Sequence, residues 1–298
     1  MNKQWKILNW NIRGINDKDK WLAIRNKIDE TDCDLICIQE TKRETFDSRY
    51  LKQFCPKCLN KFDYQPSVGA SGGLLVVWND SLFTGETISK NSFSISIRFT
   101  SKLSSDTWTL SNIYGPCLSS DRVIFMDWFS NIHIPDDCNW LMLGDFNYIR
   151  YPSNRNREGG NLNDMLLCNE AIGNLGLLEI PLKGRAFTWS NMQTTPLLEK
   201  LDWVFSSESW TSYFPNTMVL PLSKPISDHV PCIINIGTRI PKSESCRFEN
   251  YWMQIDSFKD TVKNIWQQDV NETDSAKRIT AKFKRLRKGL KIWAKELS

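Results

Sequence analysis

Histidine is almost missing from this chain of 298 residues, which carries two, His133 and His229. Long hydrophobic runs are missing altogether. No window approaches the roughly 20 apolar residues that cross a bilayer, and the opening "MNKQWKILNWNIRG" is too polar for a secretory signal. The expectation is a soluble intracellular protein with no membrane attachment. Nine cysteines, an odd number without even spacing, argue against a disulfide framework. The close pair in "CPKC" (55 to 58) lacks the second pair or the histidines of a zinc site, so reduced thiols are expected. A nucleophile elbow, a Gly-rich dinucleotide turn and a P-loop are also absent, which excludes the common routes to acyl transfer and nucleotide-linked redox chemistry.

What is present is apolar mass: 41% hydrophobic residues, with 13 Trp and 15 Phe, suffice for a substantial core. Charge is unevenly placed. Residues 246 to 298 hold 12 basic and 7 acidic residues, net +5, and residues 1 to 245 hold 26 and 27, net −1. A near-neutral body with a basic tail points to a polyanionic partner, or to a solvated helix face.

Five nearly continuous apolar runs read as strands buried on both faces: "WKILNWNI" (5 to 12), "DLICIQE" (34 to 40), "GGLLVVW" (72 to 78), "WLMLGDFN" (140 to 147) and "HVPCIINI" (229 to 236). Alternation in "FSISIRF" (93 to 99) and "TWTLSNIY" (107 to 114) predicts half-buried strands. Helical patterns lie between them. Asp17 or Asp19 caps a helix that turns Trp21, Ile24 and Ile28 inward, Ser120 caps "DRVIFMDWFSNI", and "NDMLLCNEAIGNLG" ends at Gly176. Strands interleaved with helices predict an α/β domain with sheets inside and helices outside. The domain boundary is expected in the polar "GTRIPKSESCRFEN", giving a domain over 1–238 and a linker with a basic helical extension over 239–298. In that extension Ile279, Phe283, Leu286, Leu290, Trp293 and Leu297 form an apolar seam on a helix otherwise covered by Lys and Arg.

Polar residues gather where the apolar runs stop. Asn11 ends the first strand and Glu40 the second; Tyr114 ends another, Asp145 and Asn147 flank Phe146, and Asp202 lies in "KLDWVF". Groups at such ends meet in one cleft in layered α/β folds. Taken singly, each has a structural reading as a turn, cap or ion-pair residue, and His229 beside an apolar strand reads as a core or turn residue as readily as a catalyst. Taken together, they suit hydrolysis of a phosphate ester: carboxylates for a hard divalent ion, and a histidine that a carboxylate can orient.

The ordered set "NWNIRG", "QETK", "GGLLVVW", "NIYGP", "GDFN", "FTWSN", "LDWVF" and "SDHVP", from about residue 5 to 236, resembles the endonuclease/exonuclease/phosphatase superfamily. Within it, the chain most resembles the endonuclease domain of plant LINE-type (non-LTR) retrotransposons. The resemblance implies two packed β-sheets flanked by helices, a four-layered α/β sandwich, and a Mg²⁺-dependent endonuclease for which Mn²⁺ can substitute. It implies that Glu40 ligates the metal with Asn11 close by, and that Tyr114 contacts the scissile phosphate. Asp145 and Asn147 would position and activate the attacking water, and His229 would contact or deprotonate at the phosphate. Asp202 would orient His229, and Asp228 would sit at the metal or a second-metal position. Which group is the base stays open.

Two departures stand out: Arg13 occupies a position that is acidic in abasic-site endonucleases of the superfamily, and Trp203 follows the strand aspartate where plant relatives often have Arg. Duplex DNA is the expected substrate, with Arg150, Arg155 and Arg157 of "RYPSNRNREGG" and Trp189 and Asn191 of "FTWSN" as candidate contacts. A solvated loop and a core tryptophan are the alternatives for these. The tail resembles the connector to a reverse transcriptase, but no Phe/Tyr-x-Asp-Asp motif occurs. The expectation is therefore a fragment or stand-alone copy, nuclear in location, with a reverse transcriptase or retroelement RNA as partner in a full element. The rival readings are a phosphatase of the same superfamily, which lacks support because no Cys-Asp-Arg element is found, and a catalytically decayed nucleic-acid-binding relic.

Overall fold

In the computed structural model the described residues are 4–69, 71–224, 226–237, 250–270 and 274–296. They form two compact units, Met1–Arg239 and Ile240–Ser298.

The first unit holds two mixed six-stranded sheets. One is built of β1 (Trp5–Asn11), β2 (Leu35–Gln39), β3 (Leu59–Gln65), β4 (Leu74–Asn79), β13 (Met218–Pro221) and β14 (Cys232–Ile236), in the order β13-β14-β1-β2-β4-β3. The other comprises β5 (Phe83–Lys90), β6 (Ser94–Ser101), β7 (Thr107–Tyr114), β8 (Trp140–Asp145), β9 (Leu178–Glu179) and β12 (Asp202–Ser206), in the order β5-β6-β7-β8-β12-β9. A short hairpin, β10 (Trp189–Ser190) with β11 (Leu198–Glu199), forms a sheet of its own and bridges His229 through Trp189.

Each sheet has one parallel pair, β1 with β2 and β7 with β8. Parallel neighbours need a crossover, and helices supply it: α1 (Lys18–Thr31) links the first pair and α3 (Ser119–Ser130) the second. Both helices, with α4 (Leu162–Asn174), cover the outer sheet faces; the short α2 (Ser48–Leu51) and α5 (Glu208–Tyr213) complete the unit. The Asp17 carboxylate accepts from Lys20 N at 2.9 Å as the cap of α1. Ser120 does not cap α3; it lies inside the helix, which starts from Leu118 without a side-chain cap. The third pattern ends as read, with Gly176 at φ 62° just past α4.

The strand period of two explains both the core and the site. In β1, Trp5 and Ile7 face the other sheet, and Leu8 and Trp10 face α1. The inner rows of β2, β7 and β8 likewise begin with Leu35 and Cys37, with Trp108 and Leu110, and with Leu141 and Leu143. Trp108 is fully buried there among Trp5, Phe83, Phe99 and Trp210, with ring centroids 5.0–6.0 Å apart. Toward the C-terminal ends of the parallel strands the same inner rows turn polar: Asn9 and Asn11, Gln39, Asn112 and Tyr114, Asp145. Where the core ends, the buried Gln39 amide donates to Asn9 Oδ1 at 2.6 Å and Asn112 Oδ1 at 2.5 Å. Asn112 in turn donates to the carbonyls of Ile38 and Leu75, tying the sheets together under the cluster of polar groups.

In the second unit α6 (Asp256–Trp266) packs on α7 (Ser275–Glu296) around Trp252, Leu290 and Trp293. Leu286 of the expected seam is partly buried on this core, while Ile279 and Phe283 remain about half exposed. Leu297 and most of the expected boundary segment lie outside the described residues. No helix among the described residues is long and apolar enough to cross a membrane.

Candidate active site

The topology brings four strand ends together. Asn11 ends β1, and Glu40 directly follows β2; Tyr114 and Asp145 end β7 and β8 and pair with each other in register. Because β12 runs antiparallel to β8, its first residue, Asp202, lies opposite Asp145. Because β14 runs antiparallel to β1, the segment that leads into it carries Asp228 and His229 back to the Asn11 end. Ser227 fastens this segment by donating to the Asn11 carbonyl at 2.7 Å, and Trp10 Nε1 donates to the His229 carbonyl at 3.2 Å.

The backbone bends sharply at these ends. Of seven described non-glycine residues with positive φ, four are Arg13, Glu40, Lys42 and Asn147, at 52° to 55°. Strain of this kind gathers where a side chain has to be aimed. Gly144 permits a close approach: its φ is 139°, and a Cβ there would stand 2.0 Å from the Ile113 carbonyl oxygen.

His229 lies between two buried carboxylates. Its Nδ1 is 2.9 Å from Asp202 Oδ2 and its Nε2 is 3.6 Å from Asp145 Oδ2. Burial alone would favour the neutral ring, but the charges of Asp202 and Asp145 outweigh it and lift the pKa to about 9. Asp145 is fixed from three directions: Asn11 Nδ2 donates at 2.7 Å, Asn147 Nδ2 at 3.2 Å and Asn147 N at 3.0 Å. Burial nonetheless raises its carboxyl to about 7, because the imidazole and these donors only partly offset the lost solvation. Thr188 Oγ1, which the sequence reading passed over, accepts from Leu201 N and Asp202 N at 3.0 Å each and so sets the start of β12. The buried Asp202 Oδ1 has no protein partner.

Tyr114 lies at the edge of a cavity of about 260 Å³ lined also by Gly72, Gly73, Pro116 and Cys117. Burial raises its pKa, and the charges of Glu40 and Asp145 add to the shift, so it stays a neutral hydroxyl donor. Glu40 has Lys42 Nζ at 3.0 Å on Oε1.

Two groupings bear on a metal. Asp145, Asp202 and His229 offer ligand atoms within 4.8 Å of one another, a spacing that could hold an ion. With a pKa near 9, however, the ring holds a proton between the carboxylates. Glu40 with Asn11 offers oxygen donors only, which suits a hard divalent cation that keeps several waters. Asn11 Oδ1 accepts the Arg13 N–H at 3.0 Å, and the Glu40 side chain is partly open to solvent, so each keeps oxygen lone pairs of the kind such an ion takes.

The expected DNA contacts divide. Trp189 is at the site: its indole N–H donates to Asp228 Oδ2 at 3.0 Å, and its ring packs on Ile149, Met165 and Leu201, so it is both a core residue and a site residue. Asn191 shapes the loop after it, accepting from Leu197 N at 2.9 Å. Arg150 is committed elsewhere. It is buried, pairs with Glu179 at 2.5 Å and lies over Trp203 and Phe205, so its guanidinium is not presented to a ligand. Arg155 pairs with Glu199 at 3.3 Å, and the exposed Arg157 donates to the Thr195 carbonyl. The cations that do stand at the site are Arg13, on Asp228, and Lys42, on Glu40. Lys20 is close enough to be influenced by Asp228, Arg13 and Glu40, and Lys224 Nζ lies 3.4 Å from the Asp228 carbonyl oxygen.

Residues 8–229 match the Endonuclease/Exonuclease/phosphatase family. The fold is similar to AP endonuclease LMAP from Leishmania major, at TM-score 0.60 and 15% identity, over 80% of this chain and 89% of that one. It is similar to the endonuclease domain of TRAS1, a telomere-specific non-LTR retrotransposon, at TM-score 0.59 and 13% identity, over 79% and 99%. It is similar also to the human Nocturnin catalytic domain with bound sulfate anion, at TM-score 0.53 and 14% identity, over 78% and 93%. No curated protein sequence matches the chain.

Proposed function

Since the chain belongs to the endonuclease/exonuclease/phosphatase family, we propose that it is a divalent-metal-dependent hydrolase of DNA phosphodiester bonds, the target-nicking endonuclease of a LINE-type retroelement of the plant kind. The observation that carries this reading is the His229 ring between Asp202 and Asp145, with Asn11 and Asn147 fixing Asp145. Asp145 accepts the proton of the attacking water, for which a carboxyl lifted toward neutrality is suited. Asn147 orients that water together with Asp145. His229 is the cationic donor to the phosphate oxygens, and Asp202 fixes its ring plane and holds its charge. Tyr114 adds a neutral hydroxyl donor to the same phosphate. Glu40 and Asn11 would hold Mg²⁺ or Mn²⁺, which when bound supplies charge neutralisation for the phosphoryl oxygens and the leaving oxyanion.

DNA is the substrate this reading favours, because Arg13 and Lys224 stand at Asp228, Lys42 stands at Glu40, and Lys20 lies within reach of both carboxylates. The second unit, Ile240–Ser298, is then a basic connector beyond the nuclease domain, its partner in a full element a reverse transcriptase or element RNA, and the nucleus its place of action. Incubation with supercoiled plasmid tests the function. Open circles are expected with Mg²⁺ and none with EDTA; equal nicking in both would overturn the metal-dependent assignment, and no nicking with either ion would leave a binding relic.

A further inference from the structure

The family resemblance puts Asp228, next to His229, at a second metal position, yet its carboxylate is already engaged. Oδ2 accepts from Arg13 Nη1 and from the Trp189 indole at 3.0 Å, and Oδ1 has Ser227 Oγ at 3.4 Å. The Asp228 side chain is 6% exposed, whereas that of Arg13 is 58% exposed. One end of the guanidinium fork is therefore anchored in the protein and the rest faces out. The turn that carries Arg13 is also fixed. Arg13 has φ 54° and donates its N–H to Asn11 Oδ1 at 3.0 Å, and Gly14 N donates to the Glu40 carbonyl at 2.7 Å. The turn is thus bonded to the end of β1 through Arg13 and to Glu40, just past β2, through Gly14.

A divalent ion on Asp228 would have to displace a group that cannot lose its charge by deprotonation. Placing both cations on one carboxylate would set like charges against each other with little water between them. Arg13 already neutralises Asp228, and its hydrogen bond uses one of five N–H donors arranged in a fork that matches phosphate oxygens. We propose that Arg13 is a phosphate-binding cation built into the site, anchored on Asp228 where a second metal ion would otherwise stand. Its ligand is a phosphodiester group of the substrate strand, and the metal is held on the Glu40 side alone. This inference rests on the nucleolytic reading of the site.

Two measurements that do not depend on turnover test it. Mn²⁺ binding is followed by electron paramagnetic resonance and calorimetry, and binding of a fluorescent duplex is followed by anisotropy in EDTA over a salt series. Asp228→Asn, which keeps the side-chain shape, is expected to leave Mn²⁺ affinity within about threefold of wild type, whereas Glu40→Gln weakens it about tenfold or more. Arg13→Met is expected to weaken duplex binding about tenfold and to reduce the log–log salt slope by about 0.9, the value of one phosphate contact. Arg13→Lys, which keeps the charge and loses the fork, should recover the slope and only part of the affinity, and it covers the case in which the methionine variant folds poorly.

Loss of Mn²⁺ binding in Asp228→Asn equal to that in Glu40→Gln would overturn the proposal, as would unchanged duplex binding in Arg13→Met. Wild-type protein that takes up no Mn²⁺ would instead overturn the metal-dependent function. The duplex measurement, made without metal, would still decide the role of Arg13.

Discussion

At the scale of single residues, the buried array of Asp202, His229 and Asp145 makes the sharpest demands. Changing Asp145, Asn147 or His229 to Ala is expected to lower nicking by about a few hundredfold or more each, and double changes to cost far less than the product, because the three act on one water and one phosphate. Multiplicative losses in plasmid assays would show that they act apart. Asp202→Asn should leave the melting curve in place while lowering turnover, because an amide at this position removes one of the charges that keep the ring protonated. The pH profile follows from the same array. Asp145 serves as base only when ionised, so the rate should rise as pH passes about 7. His229 serves as cation only when protonated, so the rate should fall above about 9. The two limbs belong to the coupled array rather than to either residue alone. A rate that climbs steadily through pH 10 would remove the imidazolium from the mechanism. These residues stood out in the sequence because Asp145 and Asn147 stand at the end of an apolar run and Asp202 and His229 at the start of one. Arg150 was misread because a guanidinium in a polar loop looks solvated, and nothing local reveals that Glu179, 29 positions on, receives it.

At the scale of elements, the inner row of each strand changes from apolar to polar in the direction of the site. The apolar half of that change could be read from the runs themselves; the pairing could not. Asn9, Gln39, Asn112 and Thr188 gave no signal, because a lone amide or hydroxyl in a strand reads the same whether or not a partner lies across the sandwich. Their function is non-local: Gln39 and Asn112 are 73 positions apart and meet at 2.5 Å. The edge strands β3, β5 and β13 also escaped the reading, since exposed and partly buried residues along them blur the period of two. Gly144 marks where the element and the site depend on each other. A methyl group there meets the Ile113 carbonyl, in the very pair that sets Tyr114 beside Asp145. Gly144→Ala is expected to cost about 2 kcal/mol or more, through the positive φ and the forced separation of β7 from β8. A denaturant midpoint equal to wild type would show that the strands part without penalty.

At the scale of the whole molecule, the division into Met1–Arg239 and Ile240–Ser298 separates two tasks. Every group in the candidate chemistry lies in the first unit. The second has its own small aromatic core around Trp252 and Trp293, while Lys277, Arg278, Lys284, Arg287 and Lys288 stand exposed along α7. Ile279 and Phe283, half exposed on the same helix, leave part of its apolar seam open to solvent, although the Phe283 ring meets Trp266 of α6. A chain ending near residue 240 is therefore expected to fold and to nick plasmid, since it keeps both sheets, all three of their apolar layers and the full array. It should bind duplex more weakly and with a shallower dependence on salt, each lost phosphate contact lowering the log–log slope by about 0.9. Comparing the slopes of the two proteins separates a nucleic-acid contact from a docking helix. An unchanged slope would mean that the basic face of α7 serves only to keep the helix soluble while the apolar seam meets another protein surface. Loss of folding on truncation would mean that the first unit depends on the second for part of its core.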